Sequence, residues 1–293
     1  MKKNVYAIIT DRIIELLEQG TVPWQQPWAG QHDMPMNLIS KKQYRGINIF
    51  LLASMSYESP YWITFNQVHK LGGTIKKGEK ACPVVFWKWR EVEDKQNVGT
   101  IKRIPMLRYY HVFNAAQCEG IDAKVPVTEV IEHEFNPIRA AELIAEGMPK
   151  PPTITHDKSR AYYNPALDLV NVPRAQLFRS DQEYYSTLFH ELVHATGHDS
   201  RLKRHDKKES VAFGSETYSK EELVAEMGCA FLCGASGIVD MTIKNSAAYI
   251  SSWLKRLKDD VTLVVTAAGQ AQKASDYILN VKADGGGDDG DMT

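Results

Sequence analysis

The chain has 293 residues, of which 43% are hydrophobic, and a formal net charge of −1. That length accommodates two ordinary domains, and that composition excludes global disorder. No apolar run approaches the ~20 residues needed to span a bilayer, so no helical membrane segment is expected.

The charge is unevenly divided. Residues 1–120 hold 16 Lys+Arg against 10 Asp+Glu, a surplus of six positive charges, and the remainder is correspondingly acidic. Five of the six tryptophans, Trp24, Trp28, Trp62, Trp87 and Trp89, also lie in that basic stretch. Such asymmetry points to different partners for the two halves.

In chain order, residues 4–19 carry apolar side chains at helical spacing, interrupted by Asp11, Glu15 and Glu18. This is an amphipathic helix and not an export signal, so a cytoplasmic protein with four reduced cysteines is expected. "GTVPWQQPWAG" breaks the helix with Pro23 and Pro27. Residues 48–57 and 64–72 read as short helices. For the second, Thr64 is the N-cap, Gln67 completes a capping box and Gly72 is the stop. Residues 73–89 alternate and are rich in β-branched and aromatic side chains, which predicts strands with a turn at Lys77-Gly78. Another strand begins near Met106.

The chemistry of this half suits single-stranded nucleic acid, which requires cations for phosphates and flat rings for bases. Lys41, Lys42 and Arg45 flank Tyr44. Lys76, Lys77 and Lys80 precede Phe86, Trp87 and Trp89, and Lys88 and Arg90 alternate with those tryptophans. Lys102, Arg103 and Arg108 precede Tyr109 and Tyr110. The competing reading places the tryptophans in a small core and the lysines on a solvated rim.

Residues 126–137 read as a linker, and a helix near 138–147 opens the second domain. Residues 151–173 read as strands bent at Asn164-Pro165. Helices are expected at about 181–197, 219–235, 244–257 and 260–280. The tail 284–293 contains only glycine, acidic and polar residues apart from one Met, and is expected to be disordered.

The most specific local motif is "LFHELVHATGHDS", in which His190, Glu191 and His194 have the spacing H-E-x-x-H. On a helix the two histidines lie one above the other, and their rings can converge on one ion. Glu191, about 100° round the helix, can reach a metal-bound water without ligating the ion, which is the geometry of a zinc peptidase. A third ligand is required. The metzincin position is Ser200, which excludes that class. His198 and His205 are weaker candidates. The next helix offers Glu222 and Glu226 with Ala225 between them, the E-x-x-A-[DE] arrangement of glutamate zincins. In that arrangement the first acid binds metal and the second braces a histidine. Ser219 with Glu222 could instead form a capping box, which would leave Glu226 as the ligand.

Taken together and in order, "VPWQQPW", "YRGINIFLL", "YWITFNQVHKLGGTIKKGEKACPVVFWK", "YHVFNAAQCEG", "AYYNPALDLVNVP", "FHELVHATGHDSRLKR" and "EELVAEMGCAFLCGASGI" resemble the ArdC-type antirestriction proteins of conjugative plasmids. The resemblance implies an α+β chain with a mixed N-terminal single-stranded-DNA-binding domain (1–125). A linker (126–137) would join it to a zincin-like metallopeptidase domain (138–283). It implies protection of incoming plasmid DNA from host restriction, with Zn2+ or another divalent ion such as Mn2+ as cofactor. The expected partners are single-stranded DNA, more weakly duplex DNA, and a host restriction-system protein, with no membrane. Two alternatives remain open: a DNA-shielding module whose metal site is not proteolytic, and a general metallopeptidase without a nucleic-acid role.

Overall fold

The computed structural model describes residues 4–25, 34–57, 59–93, 101–126, 137–204, 216–238 and 247–281. The expected linker lies almost entirely outside these residues, and the expected disordered tail entirely so. Within them the chain forms two compact units, one of residues 4–13 and 34–126, the other of residues 14–25 and 137–281. The sequence reading had counted residues 14–25 with the first unit. They group with the second because Trp24 packs edge-on against Trp253, with ring centroids 6.0 Å apart. No helix among the described residues is long and apolar enough to cross a membrane.

The N-terminal helix α1 (Val5–Glu18) buries Ile9, Ile13, Leu16 and Leu17 along one stripe, as its spacing requires. The first unit is then built on a four-stranded sheet. Its strands are β1 (Met36–Asn37), β2 (Tyr61–Thr64), β4 (Cys82–Glu93) and β5 (Ile101–Asn114), in the order β1-β2-β5-β4. A second, two-stranded sheet pairs β3 (Thr74–Ile75) with β6 (Cys118–Glu119). Leu38, Tyr61, Ile63, Val68, Ala115, Cys118 and Ile121 form one buried cluster of this unit.

Short helices α2 (Ile47–Ala53) and α3 (Phe65–Lys70) complete the unit. The Thr64 hydroxyl accepts from the Gln67 N–H at 3.3 Å, and the Gln67 side chain accepts from the Thr64 N–H at 3.0 Å, which is the expected capping box. Gly72 closes the helix at φ +81, a conformation that glycine adopts without a Cβ penalty.

The long β4–β5 hairpin runs in continuous register from Cys82 opposite Val112 to Glu93 opposite Ile101. Its outer edge is managed locally. The Asn48 side-chain amide donates to the Val85 carbonyl and accepts from the Val85 N–H, both at 2.7 Å, so Val85 points away from β5. Pro83, two residues earlier, therefore places its missing N–H on that edge. Pro105 does the same on the far side of β5, beyond the Val112–Asn114 stretch that pairs with β2. Proline is tolerated in strands at such positions because no ladder bond is lost.

The second unit contains helices α4 (Pro137–Glu146), α5 (Asp181–Ala195), α6 (Glu216–Ser236), α7 (Ala247–Asp259) and α8 (Leu263–Ile278), with α6 packed on α4, α5 and α8, and a small sheet against which α5 rests. That sheet has the order β7 (Thr153–Thr155), β9 (Leu169–Asn171), β8 (Tyr162–Asn164), with β7 parallel and β8 antiparallel to β9. Ser180 caps α5 by accepting from the Glu183 N–H at 3.2 Å. Helices α5 and α6 cross closely at Gly228, where an added Cβ would meet the Val193 methyls at 2.8 and 2.9 Å. All four cysteines are buried and unpaired in disulfides.

Candidate functional site

The helical phase of α5 sends His190 and His194 towards α6, as the spacing predicts. Their Nε2 atoms lie 3.2 Å apart. Glu222 faces both rings, with one carboxylate oxygen 3.6 Å from His190 Nε2 and the other 3.5 Å from His194 Nε2. The three ligating atoms all fall within 4.8 Å of one another, a separation that one ion can bridge. The donor set fits a divalent cation: two imidazole nitrogens face one spot, and a carboxylate closes it. Burial disfavours a charged His190, but the Glu222 hydrogen bond and the neighbouring carboxylates outweigh it and raise the imidazole above its ordinary range.

Glu191 is 8% exposed. It accepts a backbone hydrogen bond from Tyr163 on strand β8 of the small sheet. Burial pushes its carboxyl above the ordinary range, against the pull of the two imidazoles. A carboxylate tuned in that direction is a better proton acceptor at neutral pH.

Two features of α6 differ from the sequence reading. Ser219 lies inside the helix, which begins at Glu216, so it is not an N-cap and the capping-box reading of Glu222 fails. Glu226 is engaged by donors from other parts of the unit. Its Oε2 accepts from Trp24 Nε1 at 2.9 Å and from the Tyr249 hydroxyl. The carboxylate beside His194 is instead Glu221, 3.5 Å from Nδ1. Arg204 donates to both Glu221 oxygens, at 2.7 and 3.2 Å, and also to Thr196 Oγ1 and the Val193 carbonyl. Glu221, Arg204, Trp24 and Tyr249 were not singled out from sequence. The adjacent acidic pair Glu221-Glu222 was the available signal for the first of them. His198 bonds Ser200 at 2.9 Å and is not part of the three-residue cluster. His205 lies outside the described residues.

In the first unit, the hairpin separates its side chains by face. Val85, Trp87 and Trp89 oppose Tyr109, Leu107 and Pro105 on one face; Phe86, Lys88 and Arg90 oppose Arg108, Met106 and Ile104 on the other. Trp87 and Trp89 are 46% and 54% exposed, so they do not fill a core, whereas Trp24 and Trp62 do. Lys41, Lys42, Arg45, Lys76, Lys77, Lys80, Lys88 and Arg90 are all exposed. Lys76 Nζ donates to the Ala116 carbonyl at 2.8 Å, and Lys41 lies 4.6 Å over the Tyr61 ring. Tyr44 is a correction: it is only 5% exposed, its ring belongs to the interior, and it offers no face to a base.

Residues 140–270 match the zincin-like metallopeptidase family, and residues 3–113 match the N-terminal domain of anti-restriction factor ArdC. Among solved structures, the chain resembles the metal-free crystal structure of antirestriction ArdC protein from R388 plasmid. It has 38% identity and a TM-score of 0.74, covering 95% of this chain and 97% of that one. The Mn(II)-bound structure of the same protein matches with a TM-score of 0.73 at 36% identity, covering 97% and 100%. An uncharacterized protein, y4eC, from Sinorhizobium fredii is 33% identical over 96% of this chain and 93% of its own length. A DNA primase TraC from Escherichia coli is 36% identical over 95% of this chain. The chain spans only 20% of that protein, and 27% of a second TraC.

Proposed function

The chain belongs to the ArdC antirestriction family, and on that premise we propose that it protects incoming plasmid DNA from host restriction. In this reading the N-terminal unit binds single-stranded DNA, and the second unit carries a divalent-metal centre of peptidase type. The observation that carries the second part is the convergence of His190, His194 and Glu222 beside a buried Glu191. A metal that served only to hold the fold together has no use for an adjacent proton acceptor.

His190, His194 and Glu222 would hold a Zn2+ or Mn2+ ion, which would supply Lewis acidity to a bound water. His190 and His194 orient the site from one helix face, and Glu222 closes it from the next helix. Glu191 accepts and holds a proton, and the Tyr163 N–H keeps its carboxylate aimed. Glu221 and Arg204 hold His194 in one ring orientation, as carboxylate partners of ligand histidines generally do.

The exposed Trp87 and Trp89 are the observation behind the nucleic-acid part. Bases stack on such rings whatever their sequence, and the lysines around Gly78 supply charge for the phosphates, with Lys88 and Arg90 adding charge on the opposite face of the hairpin. The DNA primase relatives that contain a similar region also favour a nucleic-acid partner. The test is a gel shift with single-stranded and duplex DNA beside metal analysis of the same sample. Preferential retention of single strands, weakened steeply by salt, with about one divalent ion per chain, is the expected result. A protein that carries no metal and shifts neither form of DNA overturns the reading.

A further inference from the structure

Glu222 and Glu226 sit four residues, just over one turn, apart on α6, a rise of about 6 Å, and either carboxylate is chemically able to hold a divalent ion. Their surroundings differ. Glu222 directs one oxygen towards each histidine. Glu226 uses Oε2 to accept two hydrogen bonds, from the indole N–H of Trp24 at 2.9 Å and from the Tyr249 hydroxyl. Trp24 comes from 202 residues earlier in the chain and is 1% exposed. It is held edge-on to Trp253, and Trp253 is edge-on to Tyr249 at 6.2 Å. The indole N–H also reaches the Tyr249 hydroxyl at 3.3 Å, so Trp24, Tyr249 and Glu226 Oε2 form one hydrogen-bonded triangle whose two donors are held by aromatic packing.

We propose that Trp24 and Tyr249 are positioning residues that determine which glutamate ligates the metal: their donors tie Glu226 away from the ion and leave the third position to Glu222. The proposal rests on the reading of His190, His194 and Glu222 as the metal-binding set. It assigns the "VPW" segment to the makeup of the metal centre, although that segment supplies no ligand.

The experiment is calorimetric titration of metal-stripped full-length protein with Mn2+ alone and with Zn2+ alone, with circular dichroism on each variant. E226Q keeps an acceptor oxygen for both donors, so its metal affinity is expected to stay within about twofold of wild type. E222A loses a ligand and is expected to bind more than about 100-fold more weakly, beyond the range of an outer-sphere change. Adding W24F and Y249F to E222A frees the Glu226 carboxylate, and roughly tenfold of the lost affinity returns, to be lost again on adding E226Q. Two results overturn the proposal. One is a folded E226Q that loses tenfold or more in affinity, which makes Glu226 a participant in the native site. The other is a folded W24F/Y249F/E222A protein that binds no better than E222A. If that triple variant does not fold, the E226Q result decides alone. Wild-type affinity in E222A is a different failure: it removes the underlying ligand set and the proposal with it.

Discussion

Glu221 is the sharpest test of how the site is supported. It lies 3.5 Å from His194 Nδ1 and is gripped at both oxygens by Arg204. The perturbation is E221Q, which keeps the shape and removes the charge. Coulomb's law at 3.5 Å and an effective dielectric of ~20 gives about 5 kcal/mol for two full charges. That is an upper bound, since a ligating histidine is formally neutral and Arg204 already neutralises much of Glu221. The remaining fraction agrees with the ~10–100-fold loss in metal affinity typical of such partners, about 1.4–2.8 kcal/mol. The assay is competition for Zn2+ against a chromophoric chelator, with wild type, E221Q and E226Q side by side. E221Q within twofold of wild type, together with a tenfold loss in E226Q, would refute the argument. The same pair predicts an acid response. Burial pushes the Glu221 carboxyl up, but the His194 and Arg204 hydrogen bonds outweigh it and hold the group well below the usual carboxylate range. A depressed folded-state pKa contributes stability that is present above the unfolded value and lost as pH falls through the folded one. R204M, which weakens that depression, is therefore expected to move acid unfolding to higher pH, read by circular dichroism.

Three further outcomes follow from the same geometry. E191Q is expected to keep metal content and single-strand binding while lowering any peptide hydrolysis by about 10²–10⁴-fold, since a positioned proton acceptor contributes that much; undiminished hydrolysis sinks the assignment. W87A and W89A are each expected to weaken single-stranded DNA binding by about 1–3 kcal/mol in fluorescence anisotropy. Their melting temperatures should be unchanged because both rings are exposed. Wild-type affinity in the double variant moves the interface elsewhere. G228A places a Cβ 2.8 Å from a methyl of the fully buried Val193, so a loss of about 1–3 kcal/mol in thermal stability is expected, and a neutral result would mean that the α5–α6 crossing relaxes freely.

Local chemistry was readable without the fold wherever it depends on neighbours in sequence. Thr64, Gln67 and Gly72 bound α3 because a cap and its stop are set within one or two turns. The face shared by His190 and His194 follows from 3.6 residues per turn, and the alternation of Trp87 and Trp89 with Lys88 and Arg90 follows from the two-residue repeat of a strand. Periodicity names a face but not what lies opposite it. Tyr44, amid exposed cations, looked available for stacking until packing buried it. On α6, helical phase alone could not choose among Glu221, Glu222 and Glu226, because each side chain answers to a donor far away in the chain. Arg204 takes Glu221, Trp24 and Tyr249 take Glu226, and the histidines of α5 face Glu222. A carboxylate's orientation is decided by the charges and N–H groups brought within about 3 Å of it, and only the tertiary fold brings them there.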